Sequence, residues 1–557
     1  MTASSAPTGA RNGGRLLVDA LRVHGVDRLF CVPGESYLEV LDALYDTTEI
    51  ALVVAKHEGA AANMAEADGK LTGRPGICFV TRGPGATHGS IGVHTAYHDS
   101  TPMILFIGQV PREVRGREAF QEVEFRQMFA PLAKWVAEIE SADRIPEYVL
   151  RAFQVATSGR PGPVVLSLPE DVLAEESSAC DTQPYQAVQA APGDRDLAAL
   201  RDELQRASRP LLIAGGSSWS DAGCAALARF ADANALPVLA SFRRQDLIDN
   251  RHRCYAGHLS LGLPPFLQQR VKAADLIVAL GSRLGDVTTL TYSVLKPPRI
   301  AARLVHVHPD ANELNRVYQA DLPIVAAPSA AAERLAAIPP VESARWREWT
   351  ETARREYEQF LAIPEKGPRE GVDMAVVIRH LATALPANAT IANGAGNFTV
   401  WVHRFFTYKA SHTELAPTSG AMGYGFPAAI AAALRHPDRL TVCIAGDGDF
   451  LMYPQELATA AQYGARVLVL VVNNGMYGTI RMHQERRFPG RVSGTGLAGP
   501  DFVALAQSFG AHAERVETTE GFAPAFERAL AAGRSAVLEL RVDPNQITPD
   551  RRLDTLA

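Results

Sequence analysis

Cysteine is sparse in this chain: six among 557 residues (Cys31, Cys78, Cys180, Cys224, Cys254 and Cys443), with no CxxC pair. Thiols scattered in this way give no sign of a disulfide framework, and a reduced cytoplasm is the expected setting. Cys78 and Cys443 fall inside apolar strand-like runs and read as small core residues. Long hydrophobic runs are missing too: none approaches the roughly 20 residues of a membrane helix, so no membrane partner is expected. The opening MTASSAPTGARNGG has no apolar stretch behind it. Residues 1–14 therefore read as a flexible tail and not as a signal peptide. Nor is there a surplus of positive charge. With 55 Lys and Arg against 61 Asp and Glu the net charge is −6, and nucleic acid is not an expected partner.

What is present is an ordinary globular composition, 47% hydrophobic and 21% charged, in a chain too long for a single core. Buried strand-like runs alternate with helical stretches almost throughout. Ile50 to Val54, Ile77 to Val80, Met103 to Ile107 and Pro163 to Leu168 are the first strands after Arg28 to Val32. That alternation predicts α/β architecture with doubly wound parallel sheets. Residues 173–198, with Ser-Ser, Gln-Pro-Tyr and Ala-Pro-Gly-Asp, read as a linker, and Ile338-Pro-Pro-Val makes a second break. Three domains are expected, at 15–185, 195–338 and 368–545, with a second tail at 546–557. The segment from Pro544 is expected either to fold over a site or to be disordered. The first and third domains have similar rhythms, yet no sequence repeat is visible.

The most informative stretch lies in the third domain. Leu440 to Ala445 reads as a buried strand and runs into Gly446-Asp447-Gly448; after a helix, the apolar run Val467 to Val472 ends on Asn473-Asn474. In a parallel sheet both strand ends share one edge, where α/β proteins bind ligands. A carboxylate and an amide oxygen there suit Mg²⁺, which takes its remaining ligands from phosphate and water. Flanking glycines let backbone N–H groups approach a phosphate closely. Either half alone would read as a polar turn. Together, GDG and NN with 24 residues between them (449 to 472) resemble the binding motif for thiamine diphosphate (ThDP).

The resemblance extends along the chain. Gly83-Pro-Gly-Ala-Thr87, Ala96-Tyr-His-Asp-Ser100, Gly108-Gln-Val-Pro111, Ala119-Phe-Gln-Glu-Val123, Arg160-Pro-Gly-Pro-Val164 and Ser419 to Pro427 are similar to the acetohydroxyacid synthase and pyruvate oxidase branch of the ThDP enzymes. The resemblance implies a pyrimidine-binding N-terminal domain, a central Rossmann-like domain and a diphosphate-binding C-terminal domain. It implies Glu58 as the carboxylate on the pyrimidine ring, with Pro33 nearby, and Met422 as the wedge that bends the cofactor. The Gly420 carbonyl would face the amino group. Gly396, Asn397 and Phe398, then Gly448, Asp449, Asn474, Met476 and Tyr477, fall where relatives contact the diphosphate end. Asp447, Asn474 and the Met476 carbonyl would hold Mg²⁺. Because relatives build each site across two subunits, a homodimer or homotetramer is expected.

Three departures bear on the reaction. Glu35 follows Pro-Gly where synthases resemble Pro-Gly-Gly; it is either a proton donor beside a desolvated cofactor or a solvent-facing or capping residue. His483 stands where synthases place a tryptophan, and lines an acceptor site or is a surface helix histidine. Glu170 stands where synthases usually have lysine. Phe120 and Gln121, with Gln109, match the synthase pattern and favour carboligation. In the central domain Ala214-Gly215-Gly216 and Gly281-Ser-Arg283 fall where relatives contact FAD, but neither is a GxGxxG fingerprint, and the balance is against FAD. The leading expectation is an acetolactate-synthase-like carboligase or decarboxylase of a 2-oxo acid. Simple 2-oxo acid decarboxylation, lyase action on an acyloin or 2-hydroxyacyl-CoA, and diketone hydrolysis stay open. A flavin or nicotinamide oxidoreductase is the alternative from another class.

Overall fold

The computed structural model describes residues 9–556, which fall into two compact units. The first runs to Val188 and takes in Ile430–Arg435 and Ala458–Tyr463. The six strands of its main sheet are β1 (Arg28–Cys31), β2 (Ala51–Val54), β3 (Gly76–Val80), β4 (Met103–Gln109), β5 (Trp135–Glu138) and β6 (Pro163–Pro169). They pair in parallel in the order β2-β1-β3-β4-β6-β5. Strands β3, β4 and β6 are buried along their whole length, which is why they read as unbroken apolar runs and not as alternating ones.

The residues set apart as tails need correction where they are described. Arg11–Asn12 pairs antiparallel with Glu176–Ser177. The Asn12 side chain then caps the helix Gly13–Val23 by accepting the Arg15 N–H at 2.8 Å. Gly13 and Gly14 pack against Leu173 and Glu39 with no room for a Cβ, so the tail ends before residue 11; residues 1–8 lie outside the described residues. At the other end Gln546–Thr548 and Arg551–Arg552 form a short hairpin. Ile547 and Leu553 are buried there with Met482, so residues 546–556 are a folded strap. Its two apolar anchors are too few for composition to reveal.

The second unit holds two further six-stranded parallel sheets. The central one comprises β7 (Pro210–Ala214), β8 (Val238–Ala240), β9 (Tyr255–His258), β10 (Leu276–Leu280), β11 (Arg303–His308) and β12 (Leu322–Val325). Its order is β9-β8-β7-β10-β11-β12, the doubly wound dinucleotide-fold arrangement. The last sheet comprises β13 (Thr390–Asn393), β14 (Glu414–Leu415), β15 (Thr441–Gly446), β16 (Val467–Asn473), β17 (His512–Val516) and β18 (Ala536–Arg541). It runs β14-β13-β15-β16-β18-β17. Numbered within their own domains, the first and last sheets have the same strand order, 2-1-3-4-6-5, a likeness of topology that the sequence did not display as a repeat. No helix among the described residues is long and apolar enough to cross a membrane.

Candidate active site

In the last sheet β15 and β16 run side by side in register, Gly446 opposite Val472, so Asp447 and Asn474 emerge together at the carboxyl edge. Asp447 opens a helical turn (Asp447–Phe450) and is almost wholly buried. Its Oδ1 accepts the Gly448 N–H at 2.9 Å and its Oδ2 accepts the Gly475 N–H at 2.8 Å. Burial raises its pKa against those hydrogen bonds. A buried carboxylate short of positive charge favours a bound cation. The two asparagines divide their work. Asn473 donates to Glu539 Oε1 at 2.8 Å and is locked into the sheet. Asn474 faces a cavity of about 260 Å³, which Asp447 and Met476 also line. One carboxylate, one amide oxygen and one backbone carbonyl are a hard-oxygen set that fits Mg²⁺.

The remaining residues expected on this half gather around the same cavity. Gly396, Asn397 and Phe398 line it from the end of β13, and Gly420 and Met422 from the loop before the helix Gly425–Arg435. Gly448 and Tyr477 lie against one another, and a Cβ on Gly448 would meet the Tyr477 ring at 2.6 Å. Gly448 is thus a buried glycine whose small size lets the Tyr477 ring close on the cavity wall. Asn397 is turned toward Thr479 and Met482: its Oδ1 accepts the Thr479 hydroxyl at 3.0 Å and its amide faces the Met482 sulfur at 3.7 Å. Asp449 clamps two of the cavity's loops, accepting the Gly423 and Ala395 N–H groups at 2.9 and 3.1 Å. Burial pushes its pKa up to about 7.

His483 is not part of this cavity. It sits on the exposed face of the helix Gly478–Arg487 while its neighbour Met482 turns inward. Sequence reasoning missed the other wall, where Val372 and Met374 meet Val542, Gln546 and Ile547. Its only signal was the undecided segment from Pro544.

In the first unit Glu58 opens the helix Glu58–Thr72 directly after β2. His57 caps that helix, its Nδ1 accepting the Gly59 N–H at 3.0 Å. Glu58 Oε2 lies 2.8 Å from His88 Nδ1. Glu35 lies in a turn after β1, 3.4 Å from Arg82, and Arg82 also pairs with Glu170 after β6. Arg82, which sequence reasoning passed over, is 8% exposed, whereas Glu35 is 66% exposed. In the single chain Glu35 is thus an exposed partner of a buried arginine. Gln109 is fully buried and occupied, donating to the Val123 carbonyl and accepting the Val110 N–H, each at 2.9 Å. Phe120 is exposed, Gln121 adopts a φ of +66°, and Pro33 is exposed at the end of β1; no described cavity gathers these three.

In the central domain a Cβ on Gly216 would lie 2.1 Å from the Gly281 carbonyl, and one on Gly281 2.4 Å from that of Gly215. These glycines are explained by backbone closing on backbone at the switch point.

Three parallel sheets, with an Asp-Asn-carbonyl set at the carboxyl edge of the last, define a cofactor-binding α/β enzyme. The chain belongs to the thiamine pyrophosphate enzyme family. Residues 11–128 match its N-terminal TPP binding domain, 197–335 its central domain and 394–540 its C-terminal TPP binding domain. Among its relatives are acetolactate synthase large subunits. That of Parasynechococcus marenigrum is 33% identical over 531 residues, covering 91% of this chain and 84% of the relative. A probable one of Methanocaldococcus jannaschii is 31% identical over 557 residues (96% and 93%). That of Corynebacterium glutamicum is 30% identical over 531 residues (93% and 84%). This chain is thus an acetolactate-synthase-like, ThDP-dependent enzyme.

Proposed function

We propose that the chain joins the acyl fragment of one 2-oxo acid to a second carbonyl compound, with ThDP and Mg²⁺ bound in the cavity of the last domain. The observation that carries this reading is the buried Asp447 carboxylate beside Asn474 and Met476 at one sheet edge. Bound ThDP supplies the carbon nucleophile and the electron sink. The protein's part is to hold and orient. Asp447, Asn474 and the Met476 carbonyl take the metal and, through it, the diphosphate. Met422 bends the cofactor, and Glu58 of a second copy meets the pyrimidine ring nitrogen. The working form is therefore a homodimer or homotetramer, in the cytoplasm. No FAD is included, because Gly215, Gly216 and Gly281 already have a packing role.

The test is CO₂ release and product identity from pyruvate, with and without ThDP and Mg²⁺. Acetolactate formed only with both supports the reading. Acetaldehyde as the sole product would overturn ligation, and turnover independent of ThDP would overturn the whole assignment. Glu58→Gln is expected to remove nearly all turnover while Mg²⁺-dependent ThDP binding, read by calorimetry, changes little.

A further inference from the structure

Glu58 is not alone at the start of its helix. Its Oε2 lies 2.8 Å from Nδ1 of His88, which reaches across from the helix Gly83–Asp99. His57 stacks on the His88 ring, centroids 4.6 Å apart and planes 29° from parallel. One nitrogen from each histidine and one carboxylate oxygen of Glu58 lie within 4.8 Å of one another. His57 is fixed in its role, because its Nδ1 accepts the Gly59 N–H and a neutral ring then carries its hydrogen on Nε2. The geometry also divides the two oxygens of Glu58. Oε2 is held by His88, while Oε1 faces Gly85, where a Cβ would stand only 3.6 Å away. Oε1 is the oxygen left for a ring nitrogen.

We propose that His88 is a positioning residue for Glu58 that also carries the carboxyl proton between Oε2 and solvent. The proposal rests on the reading of Glu58 as the carboxylate that meets the cofactor. When Glu58 is ionised it can only accept, so His88 holds its hydrogen on Nδ1 and its Nε2 is bare. When Glu58 is the neutral acid, the Oε2–H donates to Nδ1 and the hydrogen of the ring is on Nε2. Passing between these states moves one proton from Oε2 to Nδ1 while another leaves Nε2 for water. Charge and hydrogen count balance, and no heavy atom has to move. The ring is suited to this because its side chain is 51% exposed while that of Glu58 is 14% exposed. One end meets the carboxyl and, in the single chain, the other is open to solvent.

The titratable groups facing the pair are His57 beside it and Tyr37 and Cys78 behind Glu58, with Cys31 next to those two. Burial pushes Cys31 up to about 12 and raises both Cys78 and Tyr37 well out of the neutral range. Burial, with His88 next to it, lowers His57. None of these four takes over the carrier's role: three stay protonated and His57 has its Nδ1 turned to the backbone.

The test uses His88→Asn, whose amide can still donate to Oε2 but carries no proton. In the intact enzyme loaded with ThDP and Mg²⁺, exchange of the cofactor's C2 proton with deuterium is read by NMR after acid quench. His88→Asn is expected to slow it at least about tenfold and to remove an inflection from its pH profile. The ThDP dissociation constant, from calorimetry, is expected to stay within about twofold. Wild-type exchange with a wild-type profile in His88→Asn overturns the proposal. In the cofactor-free protein, nitrogen NMR is expected to find the His88 hydrogen on Nδ1, and to find it displaced in Glu58→Ala. A ring carrying its hydrogen on Nε2, unchanged by Glu58→Ala, overturns it as well. Glu58→Gln run in parallel separates the two ideas: wild-type exchange in that variant removes Glu58 itself from the mechanism, whatever His88 does.

Discussion

Replacing Glu414 by glutamine should make the protein more stable at pH 8 and flatten the dependence of its stability on pH. Glu414 is completely buried on β14, where its Oε2 accepts the Gln245 N–H at 2.6 Å and its Oε1 has no hydrogen-bond partner among the described residues. Asp246 lies beside it, its Oδ2 accepting the N–H groups of Thr413 and Glu414 at 3.1 and 3.3 Å. Burial, reinforced by the charge of Asp246 and only partly opposed by the Gln245 N–H and by Arg244 and Arg243, pushes the pKa of Glu414 up to about 8 from 4.5. A carboxyl raised in this way holds its proton more tightly folded than unfolded. Stability is therefore fully present below its unfolded value, falls as pH climbs from 4.5 to about 8, and stays reduced above that.

The slope within that window is up to about 1.4 kcal/mol per pH unit. Glutamine keeps an oxygen for the Gln245 N–H but carries no charge to bury. Thermal melting of the cofactor-free protein between pH 5 and pH 8 is the assay. The wild type should lose several degrees over this range, and Glu414→Gln should lose clearly less. Parallel curves for the two proteins would refute the argument. The outcome bears on function because Arg243, in the same polar seam, donates to the Gly394 carbonyl at 2.9 Å and to that of Pro417, and so ties the central domain to the loops at the cavity.

Two further outcomes follow from the cavity itself. Asp447→Asn removes a buried charge whose pKa is raised by its surroundings. It should keep its fold by circular dichroism without ligand, yet lose about a hundredfold or more in Mg²⁺-dependent ThDP affinity; a variant that binds normally would remove Asp447 as the metal ligand. Ending the chain after Asn545 deletes Gln546 and Ile547 from the cavity wall and exposes Met482. Turnover should fall at least about tenfold with the rest of the fold intact by circular dichroism, and unchanged steady-state constants would show that the strap plays no part.

The alternation of buried strands and helices was legible without coordinates, because strands covered on both faces must be apolar throughout. The GDG–NN pair was legible for the same reason. Each half is local, follows its strand directly, and parallel pairing sends both to one edge, which is how Asp447 and Asn474 could be named together. What local sequence does not encode is helix phase and distant contact. The phase of one helix turns Met482 inward and leaves His483 in solvent. Asn473 and Asn474 are identical letters, and only the presence of Glu539 on the neighbouring strand assigns one to the sheet and the other to the cavity. Arg82 meets Glu35 from 47 residues away and Glu170 from 88, and His88 meets Glu58 across 30. Those charges and hydrogen bonds exist only once separate strand ends are gathered at one edge. The terminal strap is the same case: a few apolar side chains find a partner surface that no neighbouring residue in the chain provides.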